Sequence, residues 1–281
     1  MTGCVVKKVT HVHVPGQGPP ALDASFAELV NKVNTWSDNI HTLTATVDLQ
    51  PTAGSVYSGV VKEYHDVKGF ILMEKPATIR ILGQAPVVRT SIFDMVSQGD
   101  DFRLYLPTKQ KFVVGKNSTV HPAKNALENL RPQHILQALI VPPIDGDRES
   151  AYREKLDTRS QRKRYYVINV IETQGGKQPI LLRHVWFDRT DLEVSRVQFY
   201  APDGTCTEDV EYSDYQDFTG IHYPTHIDLN RPEDDYEVTI VIEKATFNEP
   251  VPAEKFELKQ PEGTQLVDLS APKPEEHPSD Q

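Results

Sequence analysis

Tyr236-Glu237-Val238-Thr239-Ile240-Val241-Ile242 places Val238, Ile240 and Ile242 two residues apart, with Glu237 and Thr239 between them. Successive side chains of a strand point to opposite faces. The stretch therefore predicts a β-strand with one dry face and one wetter face. The same period of two recurs on the N-terminal side. His226-Ile227-Asp228-Leu229 puts Ile227 and Leu229 on one face, and Val194-Ser195-Arg196-Val197-Gln198-Phe199 pairs Val197 with Phe199. Farther back, Phe102-Arg103-Leu104-Tyr105-Leu106 aligns Phe102, Leu104 and Leu106, and Thr78-Ile79-Arg80-Ile81 aligns Ile79 with Ile81. One apolar and one polar face is the pattern of a sheet covered on one side only.

Between these stretches the chain is punctuated like a meander. Strands are expected over about 43–50, 57–65, 68–75, 78–83, 90–96, 102–107 and 110–115, separated by Pro51, Asp66, Pro76, Pro86, Gly99-Asp100-Asp101 and Pro107. A second run is expected over about 164–173, 180–187, 194–200, 206–214, 223–231 and 236–248, with Gly175-Gly176 and Asp203-Gly204 as hairpin turns. Helices are few. Phe26, Leu29, Val30, Val33 and Trp36 recur at helical spacing behind the capping residues Asp23 and Ser25, which predicts a helix over about 23–39. A second apolar stripe covers about 124–141 and stops at Pro142-Pro143, and the charged stretch 147–164 is compatible with a short helix. With no strand–helix–strand alternation, the fold class is mainly antiparallel β with a few helices.

The chain has 281 residues, Lys+Arg 30 against Asp+Glu 40 and a formal net charge of -10, the opposite of the balance a nucleic-acid binder carries. No apolar run is long enough for a membrane-spanning helix. The two cysteines, Cys4 and Cys206, exclude a disulfide scaffold and a cysteine-based zinc site. His11 and His13 lack a third ligand, and His222 and His226 have no acidic residue in a metalloprotease register. No nucleophile elbow or phosphate-binding loop is present, so neither an enzyme nor a cofactor or metal is expected. The basic run Arg159-Ser160-Gln161-Arg162-Lys163-Arg164 reads as a solvated loop, with contact to anionic lipid headgroups as the sharper alternative. Pro15-Gly16-Gln17-Gly18-Pro19-Pro20 ends a tether over 1–20, the folded body spans 21–269, and 270–281 is expected to be a disordered tail.

Two amphipathic helices are little cover for so wide a sheet. The mismatch points to a cavity, although pattern alone favours a barrel or sandwich filled by its own side chains.

Thr2-Gly3-Cys4 resembles the remnant of a bacterial lipobox followed by a polar tether. The body resembles the LolA/LolB-like lipoprotein-sorting proteins of bacterial envelopes in the order of its degenerate motifs. These are Phe26-Ala27-Glu28-Leu29-Val30-Asn31-Lys32-Val33-Asn34, then Lys68-Gly69-Phe70-Ile71-Leu72-Met73-Glu74-Lys75-Pro76, then Ser97-Gln98-Gly99-Asp100-Asp101-Phe102-Arg103-Leu104-Tyr105-Leu106-Pro107. Trp186-Phe187-Asp188-Arg189, Tyr223-Pro224 and Phe256-Glu257-Leu258-Lys259-Gln260-Pro261-Glu262-Gly263 follow in register. The resemblance implies an incomplete β-barrel with a helical lid over a hydrophobic cavity that holds acyl chains of a lipid or lipoprotein, without catalysis. It makes Ile79, Ile81, Phe102, Leu104, Leu106, Val197, Phe199, Ile227, Leu229, Val238, Ile240 and Ile242 the candidate cavity lining. It also implies that Cys4 is lipid-modified, anchoring the chain to the outer membrane on its periplasmic side, and that a periplasmic carrier is a partner. Val87 and Val88 are the candidate tip of a protruding apolar loop. The chain is longer than the soluble carrier, mainly at 141–164 and in the tail. The alternative is an envelope-stress sensor or interaction protein that uses the same half-barrel to bind a signalling partner.

Overall fold

The computed structural model describes residues 20–55, 60–63, 66–118, 131–157, 163–173 and 178–270, with side chains described except at 54, 55 and 60–63. Cys4, His11, His13, Gly175-Gly176, the first half of the expected second helix, most of the basic run and nearly all of both terminal segments lie outside the described residues.

The first helix forms where its periodicity predicts. Helix α1 (Phe26–Asp38) is closed at its start by a capping box: Glu28 N donates to Ser25 Oγ at 3.2 Å and Ser25 N donates to Glu28 Oε2 at 2.6 Å. It buries Leu29 and Val33. Helix α2 (Pro132–Leu139) opens on a proline at its first turn, where the missing N–H costs nothing, and buries Ile135, Leu136, Ala138 and Leu139. The linker after α2 is fixed to α1 through Asn34, which donates Nδ2 to Ile144 O at 3.2 Å and accepts from Ile144 N at 2.7 Å.

The strands are β1 (Thr42–Ser55), β2 (Val60–Glu63), β3 (Val67–Glu74), β4 (Thr78–Gln84), β5 (Ser91–Gln98), β6 (Asp101–Leu106) and β7 (Lys111–Lys116), then β8 (Glu149–Asp157), β9 (Arg164–Glu172), β10 (Ile180–Asp188), β11 (Val194–Tyr200), β12 (Cys206–Phe218), β13 (Ile221–Arg231), β14 (Tyr236–Phe247) and β15 (Gln265–Asp268). Their order across the sheet is β15-β7-β6-β5-β4-β3-β1-β14-β13-β12-β11-β10-β9-β8, with β2 paired to the far end of β1. Two meanders are thus joined where β1 lies between β3 and β14. The first and last strands of the order do not meet, so the sheet is a half barrel, antiparallel except where β15 runs parallel to β7.

Register turns the period of two into continuous apolar stripes. Val238 opposes Leu229, Leu229 opposes Val210, Val210 opposes Val197, Val197 opposes Val185 and Val185 opposes Ile168. In the other meander Ala45, Ile71, Ile81, Met95, Leu104 and Val113 are successive partners. All twelve are buried, and all belong to one core cluster with the undersides of α1 and α2.

Two expectations need correction. The charged stretch after 147 holds an edge strand, β8, rather than a helix. Both faces of β8 are largely exposed, so its side chains need not alternate, and charges on an edge strand discourage pairing with another chain. Arg183, buried on β10, clamps β8 by donating Nη1 to Glu149 Oε1 and Nη2 to Glu149 Oε2, each at 2.8 Å, and Nη2 also reaches Pro143 O at 2.9 Å. The closing segment also adds a strand that was not expected. Phe256 and Leu258 bury themselves, Leu258 packing with Val96 and Phe112, while Arg80 donates to Asp94 through Nε (3.0 Å) and Nη2 (2.7 Å) and to Lys255 O (2.7 Å). The chain then continues into β15. Asp203-Gly204 forms the expected turn, with Gly204 at φ 88 and Thr205 N donating to Asp203 Oδ1 at 2.9 Å.

Candidate functional site

The structure brings the twelve proposed lining residues onto one face. Ile79, Ile81, Val197, Ile227, Leu229 and Ile240 are wholly buried, Phe102, Leu104, Phe199, Val238 and Ile242 nearly so, and Leu106 is partly buried at the margin. The helices and neighbouring side chains cover them from water. Leu104 and Leu106 border a small apolar cavity of about 30 Å³ with Val113, Val267 and Leu269, next to the edge strand β15. None of the twelve lines either of the two larger cavities, of about 970 and 470 Å³.

The cover over this face is fastened by phenol groups. Tyr212 of β12 donates its hydroxyl to Ala138 O at 2.9 Å, and Tyr223 of β13 donates to Leu139 O at 2.5 Å. Tyr236 of β14 shares a 2.5 Å hydrogen bond with His134 Nδ1. The last carbonyls of a helix have no partner within it, and here the sheet supplies two donors. Burial pushes the hydroxyls of Tyr212, Tyr223 and Tyr236 above the ordinary tyrosine value, so all three keep their protons.

Beside His134 the apolar face carries charge. Glu208 is wholly buried and accepts from Arg231 Nη1 at 3.1 Å through Oε2, while its Oε1 has no partner. Arg231 also donates Nε to Asp234 Oδ2 at 2.9 Å. Burial raises the Glu208 carboxyl to about 8, against the pull of Arg231. His134 is held well below 6.5 by burial, with Arg231 and Arg131 adding positive charge. The guanidinium of Arg131 lies 4.7 Å from the Phe102 ring centre. The sequence reading missed this group. The available signal was Glu208, which shares the inward register of Val210 and Tyr212.

Val87 and Val88 occupy the turn between β4 and β5 and are 92% and 71% exposed, with Arg89 at φ 51 closing the turn. Cys206 opens β12 as a half-buried free thiol. His226 faces Asp228 at 3.2 Å, and His222 stacks on Tyr215. Among the described residues no three His, Cys, Asp or Glu side chains are grouped to hold a metal, and no helix is long and apolar enough to cross a membrane.

No protein-family model matches the chain, and no curated protein matches it. Among solved structures, a DUF1329 family protein from Desulfovibrio piger aligns with a TM-score of 0.56 at 14% identity, over 82% of this chain and 95% of that one. A LolA superfamily protein from Nitrosomonas europaea aligns at 0.49 and 13% identity, over 84% and 99% of the two chains. An outer membrane lipoprotein-sorting protein domain from Vibrio parahaemolyticus aligns at 0.49 and 13%, over 82% and 94%. The chain shares the fold of the Desulfovibrio piger protein.

Proposed function

We propose that the chain is a lipoprotein of the bacterial cell envelope that binds the acyl chains of a lipid or lipoprotein against the inner face of its half barrel and passes them on without chemistry. The observation that carries the reading is the pair of aliphatic stripes, each six strands wide, beneath a helix that meets the sheet through mostly aliphatic side chains, two carbonyl latches and one His134–Tyr236 hydrogen bond. An acyl chain offers the sheet the same kind of surface as Ile135, Leu136 and Leu139. It can therefore replace α2 with little loss of apolar contact, and each methylene withdrawn from water contributes roughly 0.8 kcal/mol. Loading on this reading requires α2 to swing off its tyrosines. The exposed Val87-Val88 tip supports a membrane-facing role, because two bare valines at a turn gain nothing from water. Cys4 would supply the lipid anchor to the outer membrane, and a periplasmic carrier would supply cargo.

Native mass spectrometry of the chain purified from membranes tests the reading, together with uptake of a fluorescent fatty acid by the delipidated protein. Bound lipid, or saturable uptake displaced by unlabelled palmitate, is expected. A lipid-free spectrum combined with no uptake would overturn it. Intact-mass analysis of the N-terminal peptide reads the modification of Cys4 separately.

A further inference from the structure

We propose that the opposite face of the sheet carries a saccharide-binding groove, a site independent of the acyl-chain reading. The cavity of about 970 Å³ lies across β9 to β13 and is bordered by the outward-facing Tyr165, Trp186, Arg196, Glu211, Ser213 and Asp228. In its wall the β12–β13 ladder is locally distorted: Ser213 opposes His226 and Tyr215 opposes Pro224, while between them Asp214 stands at φ 55 and its carbonyl accepts from Thr225 Oγ1 at 2.7 Å.

Two aromatic pairs mark the groove. Tyr165 and Trp186 meet edge to face with ring centres 5.5 Å apart, and Tyr215 and His222 stack at 5.4 Å with planes 26° apart. The second pair also borders the cavity of about 470 Å³ beside α1, and Glu193 and Val194 border both cavities as well, so the two are adjacent. Trp186 is held in place before any ligand arrives. Its Nε1 donates to Gln198 Oε1 at 3.2 Å, Gln198 Nε2 donates to Asp209 Oδ2 at 3.1 Å, and Arg196 Nε donates to Asp209 Oδ1 at 2.7 Å.

A ligand for this groove must offer flat C–H faces to aromatic rings and hydroxyl donors to carboxylates. A sugar ring has both. The lining carries six carboxylates against Lys163 and Arg196, which disfavours phosphates, nucleotides and sulfated chains. The wall is too polar for a lipid tail. A neutral oligosaccharide suits a groove that carries two ring platforms and this acidic, hydroxyl-accepting lining.

Isothermal titration of the full chain with cellotetraose, with the tetramer of N-acetylglucosamine and with a heparin tetrasaccharide tests the site. Saturable heat with at least one neutral tetramer and none with heparin is expected. Trp186→Ala should weaken that binding about tenfold and Trp186→Phe should restore most of it, since the ring face and not the indole N–H makes the contact. Glu211→Ala, at an exposed position, gives a second reading free of any folding defect and should also weaken binding. No heat from either neutral tetramer, a preference for heparin, or binding untouched by Trp186→Ala and Glu211→Ala would overturn the proposal. Fatty-acid uptake by the same variants should be unchanged, so the two sites fail separately.

Discussion

The hydroxyl of Tyr212 reaches across the core to the carbonyl of Ala138 at 2.9 Å, so the C-terminus of α2 is capped by the sheet beneath it rather than by its own sequence. Ile140, which follows the helix, is extended at φ -136 and provides no cap of the glycine type. With Tyr223 on Leu139 and Tyr236 on His134, α2 is attached through three tyrosine hydrogen bonds set among aliphatic contacts.

Removing a hydroxyl there leaves a buried carbonyl unpaired. Tyr212→Phe and Tyr223→Phe should each cost about 1–2 kcal/mol. The loss should be local, read as faster amide hydrogen exchange in 132–139 with little change in the strands. Uniform acceleration across the sheet would mean that α2 is not an independently opening unit.

Glu208 and His134 make stability depend on pH in opposite directions. Glu208 has a folded value of about 8 against an ordinary 4.5, so the folded state holds its proton longer than the unfolded chain does. Its contribution is fully present below 4.5 and is lost as pH rises through about 8. His134 is depressed below 6.5, so its contribution is present above 6.5 and is lost as pH falls through the lower folded value. Thermal melts should show declining stability on both sides of a maximum. Glu208→Gln should flatten the alkaline limb and leave the acid limb in place.

Val87→Asp combined with Val88→Asp should lower the association of the chain with anionic phospholipid vesicles about tenfold or more without changing the melting temperature. The turn is exposed and packs against nothing that the substitution would disturb. Unchanged flotation with vesicles would remove the membrane-facing role of this tip.

Gly83 has no room for a side chain, because a Cβ there would lie 2.4 Å from Phe93 Cε1, its cross-strand partner. Gly83→Ala should destabilise by roughly 1–3 kcal/mol. Adding Phe93→Leu should recover part of that loss, whereas Gly146→Ala, with open space around the new methyl group, should be close to neutral.

Much of the fold was legible from the chain alone because inward positions obey a period of two. Ile79, Ile81, Val197, Ile227 and Ile240 were assigned to the dry face by alternation and lie there. Alternation does not report how full the space above a face is, so the packing of α2 against them could not be foreseen. The edge strand β8 escaped because both of its faces meet water, and β15 escaped because four residues carry too little pattern. The outer groove was illegible for a different reason. Tyr165, Trp186 and Tyr215 are distant in sequence, each looks like an ordinary strand residue, and no local motif announces the left-handed backbone of Asp214 beside them.

The pairing of β1 with β14 has a consequence for how the protein is made. Thr42 to Leu49 find one hydrogen-bonding neighbour in β3, and Thr52 and Ala53 find one in β2, soon after synthesis, but Leu43 to Ala53 find the other only when residues 236–247 emerge. Until then the nascent first meander carries a bare edge beside a greasy surface, the condition under which polypeptides aggregate or recruit a chaperone. The seam between β1 and β14 is therefore a late-forming junction of the sheet, and closing so long an intervening loop makes maturation slow relative to elongation.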